Sequence, residues 1–381
     1  MLRGALAPDP RRDVRGRPRT RDRGGAVVSV TPRPKVSVVT ITYNHEAFIE
    51  QALESILAQE TDFPVELVVA DDASTDATAG IVREVAGRYP DRVVPLLRPH
   101  NLGIHANFVS ALEATRGHYV ALCEGDDYWT DPRKLQRQAD LLDARPDVAL
   151  CAHPVLTTWE GGEEPDVVWP TESERADLSY AALLRGNFVP TNSTLARRLD
   201  SYAMIPDILP LDWYVHLLHA RGGPIAMIEE TMGVYRRHPG GVWYGSYGDP
   251  DAFWIGRAHG MAGFADAVIA LVGDDEEQRA AIQDWTLWVA RLFAVRSRTA
   301  PAEETAAVLA AHPGFASLLA RAFADRVDDV EWLKGQLEER DGRVAELTRK
   351  LRRARRRLEQ AEPTGGSEPA PRRTPRWRPG S

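Results

Sequence analysis

The sequence predicts an α/β fold built on a mostly parallel sheet, and three observations carry that prediction. Short apolar, β-branched runs recur at 36–41, 65–70, 93–97 and 118–123. Helical patterns of ten or more residues lie between them, which is the spacing of βαβ units with right-handed crossovers. Polar and acidic residues follow the runs: Tyr43 after the first, Asp71 and Asp72 after the second, and Glu124, Asp126 and Asp127 after the last. Ligands of such sheets bind beyond the carboxyl ends of the strands.

Each element has its own signal. The run 36–41 leads through Tyr43, Asn44 and His45 into an amphipathic helix that reaches about Ala58. The run 65–70 ends in Asp71-Asp72-Ala73-Ser74-Thr75-Asp76, and a helix follows over about 77–89. A third strand over 93–97, a helix over 107–115 and a fourth strand over 118–123 complete the pattern. Asp131 and Pro132 read as an N-cap and a first-position proline, opening a helix over about 133–143 before a strand over 148–151. The stretch 157–180 is polar and irregular, and reads as a long functional loop. Residues 188–195 and 227–235 are expected strands, with a helix around 213–221 between them. Three or four amphipathic helices are expected over 251–325, broken at Gly273, Pro301 and Pro313. From Val330 the period tightens to seven. Val330, Leu337, Val344, Leu351 and Leu358 form one seam, and Leu333, Leu347 and Ala354 its partner, with Arg340 as a flaw. Residues 326–360 therefore read as a coiled coil and candidate homodimer segment, or as one amphipathic helix. The layout is a disordered basic extension (1–34), a catalytic domain (35–245), a helical region (250–325), the heptad segment and a disordered tail (361–381).

Composition narrows the function. The chain has 381 residues, 43% hydrophobic and 27% charged, which is ordinary for a globular protein with a sizeable core. No apolar run reaches the ~18–20 residues that span a bilayer, and no signal-peptide core is visible. A polymer synthase carrying its own membrane channel is thus not expected, and a cytoplasmic location is. Two cysteines, Cys123 and Cys151, exclude a disulfide framework. The net charge of −8 hides nine Arg against three Asp in 1–34, and four Arg against one Glu in 363–381. About −17 remains on 35–362, so broad nucleic-acid binding is not expected. The arginine-rich ends are the candidates for peripheral contact with the inner face of the membrane.

The most informative stretch is Cys123-Glu124-Gly125-Asp126-Asp127-Tyr128-Trp129. Three carboxylates within four residues repel one another unless a cation or hydrogen-bond donors sit among them. Hard oxygen ligands clustered this way suit Mg²⁺ or Mn²⁺, which in turn bind phosphates. The competing reading is an acidic turn before the next helix, although Asp131 already supplies that cap.

Six motifs, taken together and in order, resemble the family-2 glycosyltransferases from about Val36 to Gly241. They are the 36–44 strand and turn; Asp71 to Asp76; Asn101-Leu102-Gly103; Glu124 to Trp129; Leu211-Asp212-Trp213; and Val234 to Gly241. The resemblance implies the GT-A fold, a Rossmann-like sheet, and an inverting transfer from a UDP- or dTDP-sugar to an acceptor hydroxyl. That acceptor would be a glycan, a lipid-linked glycan or a small molecule, in cell-surface polysaccharide or glycoconjugate assembly. It implies that Thr42, Tyr43, Asp71 and Asp72 bind the nucleotide, with Asp72 accepting from the imide N–H of the base. Asp126 would contact ribose or metal, Asp127 the metal, and His238 the metal or diphosphate, with Arg236 or Arg237 beside the phosphates. Asp212 would be the general base. Two departures stand out: Ile41 where the family usually has Pro, and Glu124 where an Asp often stands. A nucleotidyltransferase would show a glycine-rich basic loop after the first strand, and Thr42-Tyr43-Asn44-His45-Glu46 is not one. A non-catalytic scaffold acting through its coiled coil is the alternative outside the enzymes.

Overall fold

The computed structural model describes residues 33–162, 164–244, 250–283, 285–289, 302–320 and 349–350, with strands β1 (Arg19–Arg21) and β2 (Val27–Ser29), which pair antiparallel. The heptad segment otherwise lies outside the described residues, as do most of the 1–34 and all of the 361–381 extensions expected to be disordered.

The expected α/β architecture is present. In chain order come β3 (Val36–Thr42), α1 (Ile49–Leu57), β4 (Val65–Asp71), α2 (Thr78–Arg88), β5 (Val93–Leu97), α3 (Ile104–Glu113) and β6 (Tyr119–Leu122). There follow β7 (Tyr128–Trp129), α4 (Lys134–Ala144), β8 (Leu150–Ala152), β9 (Val155–Trp159), β10 (Val167–Trp169) and α5 (Tyr180–Arg185). The chain continues with β11 (Leu195–Arg197), α6 (Leu211–Ala220), β12 (Ile225–Met227), β13 (Gly233–Arg237), α7 (Pro250–Val272) and α8 (Glu276–Ala281), with a further helix over Ala302–Ala311. The main sheet runs β12-β8-β11-β6-β3-β4-β5, and only β11 is antiparallel to its neighbours. A second sheet, β10-β9-β13-β7, carries the acidic turn's exit strand β7 beside β13.

Period-two alternation sorts the strand side chains onto two buried faces. Val36 and Val38 pack with Ile49 and Leu53 of α1, Val82 of α2 and Leu135 of α4. Val39, Val68 and Ala70 pack on the other side with Phe108 of α3 and Leu217 of α6. One buried charge ties the strand starts together. Glu66 accepts from Ser37 Oγ (2.5 Å), from the Arg116 backbone N–H (2.7 Å) and from the Arg116 guanidinium (2.8 Å). A buried carboxylate is tolerable on these terms, because its lone pairs are filled.

Three expectations change. The stretch 157–180 is not irregular throughout, since β9 and β10 pair as a hairpin within it. Residues 188–195 are not one strand: Pro190 and a 3₁₀ turn at Thr191–Ser193 interrupt them before β11. Residues 227–235 likewise divide into β12 and β13, which belong to different sheets. The helical breaks at Gly273 and Pro313 do appear: α7 stops at Val272, Gly273 takes φ +62°, and the helix over Ala302–Ala311 ends just before Pro313, whereas Pro301 lies outside the described residues.

Helix α6 buries two histidines. Burial pushes His216 down to about 3 and His219 to about 4, from an ordinary value of 6.5. Both are therefore neutral in the fold, whereas the unfolded chain takes up protons below about pH 6.5. Their stabilisation is complete above that pH and is lost as pH falls toward the folded values. Each histidine should contribute a decline of about 1.4 kcal/mol per pH unit in that window. Urea unfolding between pH 7 and 4 measures the slope, and His216→Leu should flatten it. An unchanged slope in that variant would contradict the assignment.

Candidate active site

The site forms where the C-terminal ends of β3, β4 and β6 meet the end of β13. A cavity of about 740 Å³ opens there, lined among others by Thr42, Tyr43, Asp72, Glu124, Asp126, Asp212 and His238. Side chains from the β3–α1 and β4–α2 turns lock those turns to each other. Asn44, at φ +56°, donates its backbone N–H to Ser74 Oγ (2.9 Å) and accepts from the Thr75 N–H through Oδ1 (2.8 Å). His45 N–H donates to Thr78 Oγ1 (2.9 Å), and Glu46 accepts from the Ala77 N–H (2.8 Å).

The two neighbouring aspartates at the end of β4 do different work. Asp71 points away from the cavity and accepts from Ser74 Oγ (2.5 Å) and N–H (3.2 Å), shaping the turn. Asp72 lines the cavity, and Ala73 after it stands at φ +61°, a conformation that non-glycine residues adopt only under constraint. That constraint is the Asn101-Leu102-Gly103 motif. Leu102 and Gly103 N–H groups donate to the two Asp72 oxygens (2.7 and 3.0 Å), and Asn101 Nδ2 donates to its carbonyl (3.1 Å). Each oxygen keeps a second lone pair for a ligand. Thr42 is buried with no hydrogen-bond partner for its hydroxyl, and Tyr43 stands half-exposed at the rim.

Imidazoles and carboxylates converge at the acidic turn. His238 Nε2 lies 3.0 Å from Asp126 Oδ2, and His45 Nε2 lies 3.9 Å from the same oxygen. Ligand atoms of His45, Asp126 and His238 fall within 4.8 Å of one another, and so do those of Glu124, Asp126 and Asp127. Asp127 is fully buried beneath the turn: Oδ1 accepts from the Arg236 N–H (2.9 Å), and Oδ2 has no partner. Arg236 is engaged structurally. Its guanidinium donates to the Asp126 carbonyl (2.5 Å) and to Gln51 (2.7 Å), between the rings of Phe48 and Tyr128.

Burial raises the acids unevenly. Glu124 is pushed up to about 8 by burial, then by the charges of Asp126 and Asp212. Asp127 is raised well above the carboxylate range by burial, Asp126 and Glu124. Burial acts to raise Asp126 too, but the hydrogen bond with His238, together with the adjacent imidazole rings, outweighs it, and Asp126 falls below its ordinary value. His45 is lowered, chiefly by burial, and so offers a neutral imidazole. Asp212 begins α6 just after the cis Leu209–Pro210 bond and accepts from Thr191 Oγ1 (3.1 Å). Burial raises it, offset in part by the Trp213 N–H and the Thr191 hydroxyl.

The structure thus brings the expected Thr42, Tyr43, Asp72, Asp126, Asp212 and His238 onto one cavity, whereas Asp71, expected at the nucleotide, and Asp127, expected at the metal, do not line it; the sequence alone did not single out His45 as a site residue. The signal for His45 was its place directly after the first strand's Tyr-Asn turn. Asn101 to Gly103 was noticed as a motif, but its task of holding Asp72 needed coordinates.

A sheet whose strand ends gather a constrained aspartate and a carboxylate–imidazole cluster has the architecture of a nucleotide-handling α/β protein. The glycosyl transferase family 2 model matches residues 37–237, and the chain belongs to that family. An uncharacterised Mycobacterium tuberculosis protein, Rv1520, is 50% identical over 257 residues, 67% of this chain and 74% of its own length. An uncharacterised glycosyltransferase of Nostoc, alr2836, is 29% identical over 54% of this chain and 65% of its own length. Among solved structures, Staphylococcus aureus TarS in complex with UDP-GlcNAc superposes with a TM-score of 0.50 at 20% identity, covering 66% of this chain and 71% of that one. It shares the GT-A fold. No helix among the described residues is long and apolar enough to cross a membrane.

Gly125 is where the acidic turn meets β3. A Cβ there would stand 2.7 Å from Thr42 Oγ1 and 3.0 Å from His45 Nδ1. Gly125→Ala should therefore lower stability by about 1–3 kcal/mol, the usual range for overpacking. Urea denaturation checks this, and an unaltered midpoint would mean the turn is not packed as described.

Proposed function

We propose that this protein transfers a sugar from a UDP- or dTDP-sugar to an acceptor hydroxyl with inversion at the anomeric carbon. The observation that carries the reading is that one cavity joins Asp72, the Asp126–His45–His238 cluster and Asp212, which come from widely separated parts of the chain. Family membership supports the same reaction class.

In this reading Tyr43 and Asp72 hold the base, and the Leu102 and Gly103 amides fix the Asp72 carboxylate for that task. Asp126, His45 and His238 are proposed to hold a divalent cation, with the Glu124 and Asp127 carboxyl groups beside them. The donor set fits such an ion: neutral His45, Asp126 in carboxylate form, and a buried Asp127 oxygen without a partner. Oxygen and imidazole donors together suit Mn²⁺, with Mg²⁺ the alternative. When bound, that ion supplies Lewis acidity to the departing diphosphate.

Asp212 performs the proton transfer. The acceptor oxygen attacks the anomeric carbon from the face opposite the nucleotide, and its proton passes to an Asp212 oxygen. A C–O bond to the acceptor forms as the bond to the diphosphate breaks, and the diphosphate leaves with the electron pair. The rise that burial causes in Asp212 improves it as a base, since it brings its affinity for protons closer to neutral pH. Thr191 fixes the carboxylate through its hydroxyl.

Asp212→Asn should retain UDP binding measured by calorimetry while sugar transfer falls by ~10²–10⁴-fold, the scale of general-base catalysis. Loss of UDP binding equal to the loss of transfer would make Asp212 a structural residue and overturn the assignment.

A further inference from the structure

The cavity is chemically divided. The constrained aspartate and the carboxylate–imidazole cluster come from the strand ends, whereas much of the remaining wall is aromatic and aliphatic. Trp169, Leu209, Trp213, Met261, Trp285 and Trp288 all line it. Part of this wall is rigidly built. The Trp213 indole N–H donates to the Leu183 carbonyl (2.8 Å), and its ring meets Trp285 at 5.7 Å and 88°. Phe264 of α7 packs behind both, at 4.8 Å from Trp213 and 4.9 Å from Trp285. With its indole N–H satisfied, Trp213 presents apolar surface, and ring packing of this kind is pre-formed rather than adaptable.

Hydrogen-bonding groups gather beside Asp212. Thr191 and Asp212 are joined at 3.1 Å, and neighbouring Asn192 carries a buried Oδ1 without a partner. Such a set serves the hydroxyl-bearing head of an acceptor. The apolar character also continues outward. Val242 lines the cavity while 44% exposed, and Val167 and Val168, 49% and 46% exposed, directly precede Trp169. Contiguous exposed apolar surface beside a pocket marks a place where an apolar ligand or surface docks.

We propose that the acceptor is amphipathic: a hydroxyl-bearing head placed at Asp212 and joined to a long apolar chain that lies against the tryptophan wall. The inference rests on the glycosyl-transfer reading, because it names the acceptor class of that reaction. Continuity of the apolar wall with the donor cavity is what commits it to this occupant.

The test uses the full chain with Mn²⁺ and UDP present. Tryptophan emission is titrated with methyl, hexyl and octyl β-D-glucosides below their micelle concentrations, and again with the galactosides and mannosides. A buried methylene is worth about 0.8 kcal/mol, or roughly four-fold in affinity. Partial burial of the seven added methylenes should tighten binding by about 10²-fold or more from methyl to octyl. Trp288→Ala should remove at least ten-fold of that gain, and Met261→Ser provides a second variant if the first does not fold. Equal affinity for methyl and octyl glycosides, or tighter binding of a soluble oligosaccharide than of any octyl glycoside, overturns the proposal. Calorimetry of UDP with Mn²⁺ on the same samples separates the failures. If UDP does not bind, the transfer reading falls and this inference with it. If UDP binds but chain length has no effect, only the amphipathic acceptor is wrong.

Discussion

Three carboxyl groups crowded at one strand end, Asp127 buried and Glu124 and Asp126 half-buried, are the constraint on which the rest of the site depends. Like charges at that separation cannot all ionise in a poorly solvated place without compensation. The fold compensates by bringing a second sheet to the first. Strand β13 pairs with β7 directly after the acidic turn, delivering the Arg236 N–H to Asp127 and the Arg236 guanidinium to the Asp126 carbonyl. The same strand ends at His238, which faces Asp126, and the β3–α1 turn sets His45 against the same oxygen. Gly125 permits the close approach, since a side chain there would strike Thr42 and His45. Without this junction the acids would repel their own turn. With it, three carboxyl groups and two imidazoles are held together at one place.

Much of this was legible in the sequence where the signal is local. The strands β3, β4 and β6 are buried on both faces, so they read as continuous apolar runs, and their chain order gives a parallel sheet. The acidic turn could be read because charge repulsion between near neighbours does not need a structure to be stated. Other features depend on contacts between distant segments. Nothing local distinguishes Asp71, which turns inward to Ser74, from Asp72, which faces the cavity; the difference is made by amides 30 and 31 residues further on. His45 reads as one polar residue in a turn until β13 brings His238 beside it. The hairpin of β9 and β10 was hidden because β10 is only three residues long and exposed, with Val167 and Val168 outward, and pattern alone does not separate such a strand from a loop. The region 188–195 looked like a strand from its apolar residues, but Pro190 starts a turn that sets Thr191 against Asp212.

The helical part after β13 has a place in this account as well. Helix α7 and the segment 285–289 contribute Met261, Phe264, Trp285 and Trp288 to the core or cavity wall next to α6. The sheet ends thus carry the groups suited to a nucleotide and a cation, and the helices carry apolar surface.

The central claim is that His45, Asp126 and His238 together hold a divalent cation that in turn recruits a nucleoside diphosphate. Titration of Mn²⁺ by electron paramagnetic resonance, followed by calorimetric titration of UDP, tests it without needing the sugar or the acceptor. The account predicts one Mn²⁺ per chain, an affinity at least ~10-fold weaker in His45→Gln, and heat from UDP only when Mn²⁺ is present. UDP binding of equal affinity in excess chelator, with no Mn²⁺ bound by the wild-type chain, would contradict it.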